Sequence, residues 1–317
     1  MVKINSLKSE SGNAYILFGF EAIQARPNLD PYTSTLRTND ETMQVFTSDV
    51  HLKHHVRRGI KAYATEKNIA KPEATIFYEK EDEAGNSLDF ATRLKLVRAA
   101  YSIDSKGEDK KDAFVRCLDL PLFGYVHAIK GENFNVTNSA NTLFRPITFH
   151  TCEIYSLGRN NAFPTEKEGK TQESAGSATV DSLEYGFFLA LWEINLNMLK
   201  INASEHKVVA WEKEGYAGWL DILINGMWKA YSTDRYPSFT QRSQFAQFVV
   251  GWKPEGELSY ENPADLISKL DKKKITSHAE AITALNSILP NYLNGWGANE
   301  GNIFASHMAG NCNVNLR

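Results

Sequence analysis

The sequence predicts an α+β fold, and three observations carry that prediction. Ala14 to Ala25, AYILFGFEAIQA, is a run of aromatic and β-branched residues that reads as a buried strand. Thr47 to Tyr63, TSDVHLKHHVRRGIKAY, places Leu52, Val56, Ile60 and Tyr63 at spacings of three and four, the signature of one helix face. Strand-like apolar segments then recur to Trp252, followed by two capped helical segments. Strand, long loop and helix open an α+β domain.

The elements follow in order. The first strand stops at Arg26-Pro27-Asn28-Leu29-Asp30-Pro31, a rigid turn made by two prolines with Asn and Asp between them. Met43 to Phe46 reads as a short extended piece before the 47–63 helix. Residues 64–115 are charged and read as an insertion, with a helical stretch from Leu88 to Ala100 and a charged loop, Ser105 to Asp112. Arg116 to Ile129 is expected to be a strand interrupted at Pro121 and Gly124, and Ile147 to Tyr155 another. Leu157 to Ser182 is polar and turn-rich, too long for an ordinary connection, and is expected to be a protruding hairpin or loop. Leu183 to Asn197 and Ser243 to Trp252 read as strands. Asn262-Pro263 caps one C-terminal helix, Ser277 with Glu280 forms the capping box of the next, and the Gly- and Asn-rich tail is a loop or docked extension.

Composition bounds the chemistry. A chain of 317 residues with 42% hydrophobic and 23% charged residues can bury a large core as one domain or two. The net charge of −3 weighs against indiscriminate nucleic-acid binding but leaves room for a local basic groove. Cys117, Cys152 and Cys312 are scattered and form no CxxC, which fits a reducing compartment. MVKINSLKSESGN has no apolar core of a signal peptide, and no apolar run is long enough to span a bilayer; a cytoplasmic protein is expected.

The 47–63 helix holds the densest candidate site. Lys53, Arg57 and Lys61 fall at i, i+4 and i+8, with His54 and Arg58 beside them. Such a row suits a nucleic-acid backbone; its bland reading is a solvated face. Thr47, Ser48 and Asp49 offer an N-cap and a first-turn negative charge. Further candidates are scattered: Arg26 and Asn28 in the Pro-rich turn, Phe144 and Arg145, Arg159 and Phe163 in the polar excursion, and Arg235 and Arg242. Arg and Lys neutralise phosphates and aromatics stack on bases, but each residue alone reads equally well as core or solvated.

Enzyme signatures are weak. His51, His54 and His55 do not make HExxH, and no carboxylate pair near them completes a metal site. GxxxxGK[ST], GxGxxG and GxSxG are all missing. We therefore expect no catalytic residues, no metal and no cofactor. Two alternatives stay open: a metal-dependent ribonuclease using Asp30 or Asp49 with a nearby histidine, and a DNA-binding regulator using the 47–63 helix. The second is disfavoured because no partner helix precedes that helix within a short turn.

Several segments together carry a family resemblance. RPNLDP at 26–31 followed by TSDVHLKHHVRRGI at 47–60 resembles the NPNGDP … TDVxLKRxIR signature of the CRISPR Cascade backbone subunits, the Cas-seven superfamily. Pro27, Asn28, Asp30 and Pro31 match, as do Asp49, Val50, Leu52, Lys53 and Arg57; Arg26 and Leu29 depart from the pattern. Asp119 to Gly124, DLPLFG, is similar to the family's DxRxFG strand, and Phe144-Arg145 to its QFR segment.

The resemblance implies a modified RRM, ferredoxin-like palm over about residues 1–63, 116–156 and 183–260, with C-terminal helices over 261–317. Residues 64–115 would be helical fingers, and 157–182 a β-hairpin thumb. It implies sequence-independent binding of CRISPR guide RNA through Arg26, Asn28, Lys53, His54, Arg57, Arg58, Lys61, Phe144, Arg145, Arg159 and Phe163, with bases left exposed for target DNA. Implied partners are head-to-tail copies of the chain and Cas-five-like and Cas-six-like subunits, the assembled complex recruiting the Cas-three helicase-nuclease. A divergent type I system is implied, the compact I-F variant being one possibility and I-B or I-C another.

Overall fold

One strand organises the sheet. β9 (Ser177–Asn195) runs for 19 residues and touches four other strands. The computed structural model describes residues 13–72, 75–79, 81, 87–102, 116–129, 132–143, 146–148, 151–160, 166–167, 170–171, 177–205, 219, 222–227, 229–230, 246–253, 275–277, 279–281, 283–284, 287 and 303–308. Within them, β1 (Asn13–Ala25) pairs with β9 on one side and with β10 (Ala246–Lys253) on the other. β11 (Ile303–Met308) closes that edge, so part of the tail expected as a loop or docked extension is a strand. On the other side of β9 lie β4 (Ala140–Thr142), β5 (Ile147–Thr148) and β6 (Ile154–Asn160). Every pairing is antiparallel.

The strand alternation puts two apolar surfaces on β9. Phe188, Ala190, Trp192 and Ile194 join Ile16, Phe20 and Ala22 of β1 in the main core. Phe20 and Phe188 stack with ring centroids 4.9 Å apart. Each such buried side chain contributes about 1.5–3 kcal/mol. The opposite face of β9 carries Tyr185, Phe187, Leu189 and Leu191, also buried. Tyr185 donates to Glu21 Oε1 at 2.6 Å, so a buried carboxylate there has its partner.

α1 (Asp49–Lys67) covers the main core with Leu52, Val56, Ile60 and Tyr63, the face the spacing predicts. Ser48 is its N-cap, accepting from His51 N at 3.1 Å. Helical residues 222–227 pack against it. The approach is so close that a Cβ on Gly59 would stand 1.9 Å from the Gly226 carbonyl oxygen, so both positions require glycine. α2 (Phe90–Ala100) matches the expected helical stretch in the insertion.

Two expected strands are corrected. Asp119–Phe123, within Arg116 to Ile129, is a short helix, α3. Pro121 fits there because a first-turn N–H has no helical acceptor to lose, and Gly124 at φ 70 ends the turn. The strand begins only at β2 (Tyr125–Ile129), paired with β3 (Glu132–Val136). Ile147 to Tyr155 is not continuous either: β5 ends at Thr148, residues 151–153 are irregular, and β6 starts at Ile154.

Pairing also carries into the polar excursion. β1 ends against Leu183, but β9 continues back to Ser177 against β6 alone, forming a ribbon past the end of β1. A small pair, β7 (Glu166–Lys167) and β8 (Lys170–Thr171), lies between its arms in the chain. α4 (Leu196–Glu205) follows β9. The expected capping box holds in altered form: Ser277 Oγ accepts from Glu280 N, and the Glu280 carboxylate accepts from Thr276 N. The 262–270 helix lies outside the described residues. No helix among the described residues is long and apolar enough to cross a membrane.

Candidate nucleic-acid interface

The loop after β1 joins three elements. Asn28 adopts φ 55, a left-handed conformation that asparagine tolerates, and its Nδ2 donates to Ser48 Oγ at 3.1 Å. The turn is thereby tied to the cap of α1. Asp30 Oδ1 accepts from Tyr32 N and Thr33 N, with Arg37 Nη2 3.8 Å from the other oxygen. These backbone donors hold the Asp30 carboxyl below its usual value. Asp181, at the root of the β6–β9 ribbon, accepts from Leu36 N and Ser156 Oγ, and its own N–H donates to Ser34 O. The loop is thus fixed between the ribbon and the start of α1.

The basic row of α1 is matched, cation by cation, to carboxylates. Lys53 Nζ lies 3.4 Å from Asp49 and Lys61 Nζ 2.6 Å from Glu79. Arg57 Nε lies 3.3 Å from Asp119 Oδ2, and its guanidinium sits 4.9 Å from the Phe123 ring centroid and 5.1 Å from that of Tyr78. Asp119 is fully buried and also accepts from Phe77 N at 2.8 Å and Tyr78 N at 3.1 Å. Glu79 is shared with the buried Arg93, whose guanidinium also donates to the Phe77 and Ile76 carbonyls. Arg57 and Lys61 therefore fasten α1 to α3, the 75–79 segment and, through Glu79, α2, while Lys53 pairs within α1. Arg57 is held inside the fold; Lys53 and Lys61 pair with carboxylates that reach solvent.

The histidine flank is different. His51 Nε2 and His55 Nε2 are 3.1 Å apart, and His54 is exposed with its ring edge-on to His55. Burial, then the nearby His54, pushes His51 down to about 4. Burial, then the neighbouring His51, His54 and Arg58, pushes His55 down to about 2. Both rings are neutral at pH 7, and the burial that rejects a proton also opposes a dication. Among the described residues no three His, Cys, Asp or Glu side chains are grouped to hold a metal.

The remaining candidates are dispersed. Arg26 and Arg58 are half-buried, the latter beside His55. Arg159 stands in β6 opposite Ala178. Phe144, Arg145, Phe163, Arg235 and Arg242 lie outside the described residues. Sequence reasoning missed Glu79, Arg93 and Asp181, which carry no motif and meet their partners only through tertiary contacts. Asp119 was signalled by the DLPLFG likeness, though not as a buried anchor.

Comparison with known proteins gives the family. No curated protein sequence matches the chain. A chain of a solved "CRISPR RNA-guided surveillance complex, pre-nicking" has a similar fold, with a TM-score of 0.53 at 12% identity over 90% of this chain and 89% of that chain. A chain of a "CRISPR RNA-guided surveillance complex" covers 95% of this chain and 91% of its own at 12% identity, but its TM-score of 0.48 is too low to add to this. At such identities the first likeness shows the fold alone. The model of the family "CRISPR-associated protein Cas7" matches residues 12–287, most of the chain, and the chain belongs to that family.

Proposed function

We propose that this chain is the repeated backbone subunit of a type I CRISPR interference complex. It binds guide RNA without reading its sequence and leaves the bases free to pair with target DNA. The family match over residues 12–287 carries this reading. The sheet order supports an RRM-like palm: β10, β1, β9 and then the β4–β6 edge, with α1 after β1 and the helical residues 222–227 between β9 and β10. The β6–β9 ribbon, rooted by Asp181 in the loop that also caps α1, fits a thumb. Lys53 and Lys61 on α1, with Arg58 beside them, are the phosphate contacts on this reading; Arg57 positions the helix instead. The partners are guide RNA, further copies of the chain stacked head to tail, and Cas-five-like and Cas-six-like subunits.

The reading is non-catalytic. Asp30, which a ribonuclease would need, is turned into its own loop, and Asp49 faces Lys53. Mg²⁺-dependent cutting of bound single-stranded RNA, lost in Asp30→Ala, would overturn this part.

The test is to purify the chain from cells transcribing a CRISPR repeat-spacer RNA. RNA of defined length should copurify, several protein copies should occupy one strand, and affinity should fall with salt and ignore sequence. Lys53→Ala should weaken binding about equally across sequences and shallow the salt slope by roughly one phosphate. A protein that stays monomeric on an RNA long enough for several copies defeats the proposal.

A further inference from the structure

We propose that Tyr78 is a stacking platform for one nucleobase of the bound strand. This rests on the RNA-binding reading above and assigns it a contact that neither the family motifs nor the basic row contains. Tyr78 is 51% exposed, whereas Thr75, Ile76 and Phe77 before it are buried. Its ring is not required to fill the core.

The surroundings fix that ring in place. The Tyr78 N–H donates to Asp119 Oδ2, and Asp119 is fully buried with Arg57 against it. The Arg57 guanidinium lies 5.1 Å from the Tyr78 centroid, and the Tyr125 ring stands edge-on at 6.4 Å. Tyr125 is itself stacked on Phe90 and meets Phe77 edge-on. A pinned backbone, a cation over the ring and an aromatic wall leave Tyr78 little rotational freedom to lose on binding, which favours affinity.

The chemistry selects a base. Every nucleobase has a π-face, so stacking on tyrosine is tolerant of sequence, as a subunit that accepts any guide requires. The guanidinium already draws on the ring's negative face, which makes the ring a poorer partner for a second cation. Lys61, bound to the adjacent Glu79 at 29% side-chain exposure, stands ready for the neighbouring phosphate. Val126, 74% exposed, follows Tyr125 on β2 and points to the other face of that strand, so the Tyr78 ring stands apart from it and presents an area matched to one base.

The experiment compares one single-stranded RNA of mixed sequence with an abasic ribose-phosphate strand of equal length. Tyr78→Ala and the bulkier Tyr78→Leu should bind the base-containing strand about 5- to 150-fold more weakly, while Tyr78→Phe stays near wild type. On the abasic strand all four proteins should bind alike. Wild-type affinity in Tyr78→Ala and Tyr78→Leu, with salt-dependent binding intact, overturns the platform and leaves the RNA-binding reading standing. Equal weakening on both strands overturns it too, as does loss of self-association in both Tyr78→Ala and Tyr78→Leu, which would make this a protein contact. A wild-type protein that binds neither strand overturns the RNA-binding reading and the platform with it.

Discussion

The two flanks of α1 treat their polar groups in opposite ways. On one, Lys53, Arg57 and Lys61 each face a carboxylate. On the other, His51 and His55 meet ring to ring and stay uncharged. Both flanks adjoin the same core face, and they differ in what meets them. The cations are met by carboxylates, from α1 itself at Lys53, from α3 at Arg57 and from the 75–79 segment at Lys61, whereas His51 and His55 are buried against one another and burial drives the imidazoles to give up their protons. Arginine and lysine lack that escape near pH 7, which is why the 75–79 segment and α3 bring carboxylates to them.

The largest effect should come from breaking the charged flank at its buried end. Asp119→Ala orphans the Phe77 and Tyr78 N–H groups and leaves Arg57 against Phe123 without its anion. The expected cost is about 3–5 kcal/mol, the range for removing one partner of a buried pair. Asp119→Asn keeps an acceptor and should cost less. Denaturant unfolding gives both values, and a loss below about 1 kcal/mol in Asp119→Ala would mean that Arg57 finds another anion. Arg57→Ala should likewise act mainly on stability. Lys53→Ala should act on the salt dependence of RNA binding, although the two residues sit on one helical row.

The histidine flank should respond to pH. The folded state refuses protons that the unfolded chain accepts below about 6.5, since its own rings titrate at about 4 and about 2. Stability from this source is therefore complete above about pH 6.5 and is lost progressively as pH falls, toward about 4 for His51 and about 2 for His55. The slope should approach roughly 1.4 kcal/mol per pH unit for each ring. Asp30, held low by the Tyr32 and Thr33 N–H groups, begins to give up its contribution only where an ordinary carboxylate protonates, so the upper part of the histidine window is free of it. Thermal unfolding between about pH 5 and 7.5 should show the slope in wild type and a shallower one in His55→Leu. An unchanged slope in that variant would move the cause elsewhere.

The sequence made some of this legible and hid the rest for a physical reason. Periodicity located α1 and its buried face because a helix meets its core at fixed spacing whatever lies opposite. The Pro-Asn-x-Asp-Pro turn and the basic row pointed to one another as motifs, and Asn28 and Ser48 do touch. Periodicity cannot say what faces a charge. Glu79 and Asp119 come from segments 18 and 62 residues beyond Lys61 and Arg57, and nothing local marks either as a partner. The DLPLFG segment misled for a related reason: a five-residue helix is shorter than the window in which helical spacing shows, and its Pro and Gly read as breaks in a strand when they start and stop a turn.

The smallest effect lies where the two flanks begin. Ser48 Oγ accepts from His51 N, which starts the histidine flank, and from Asn28 Nδ2, which docks the loop. Ser48→Ala should cost about 1 kcal/mol, the usual worth of an N-cap. Asn28→Gly keeps the left-handed backbone but removes the donor, and should cost less. Because both act through one oxygen, the double variant should lose about as much as Ser48→Ala alone, a non-additivity that a double-mutant cycle reads directly. Strict additivity would mean that Asn28 holds the loop by its backbone conformation and not through the cap, and that the turn and the helix are adjacent without being coupled.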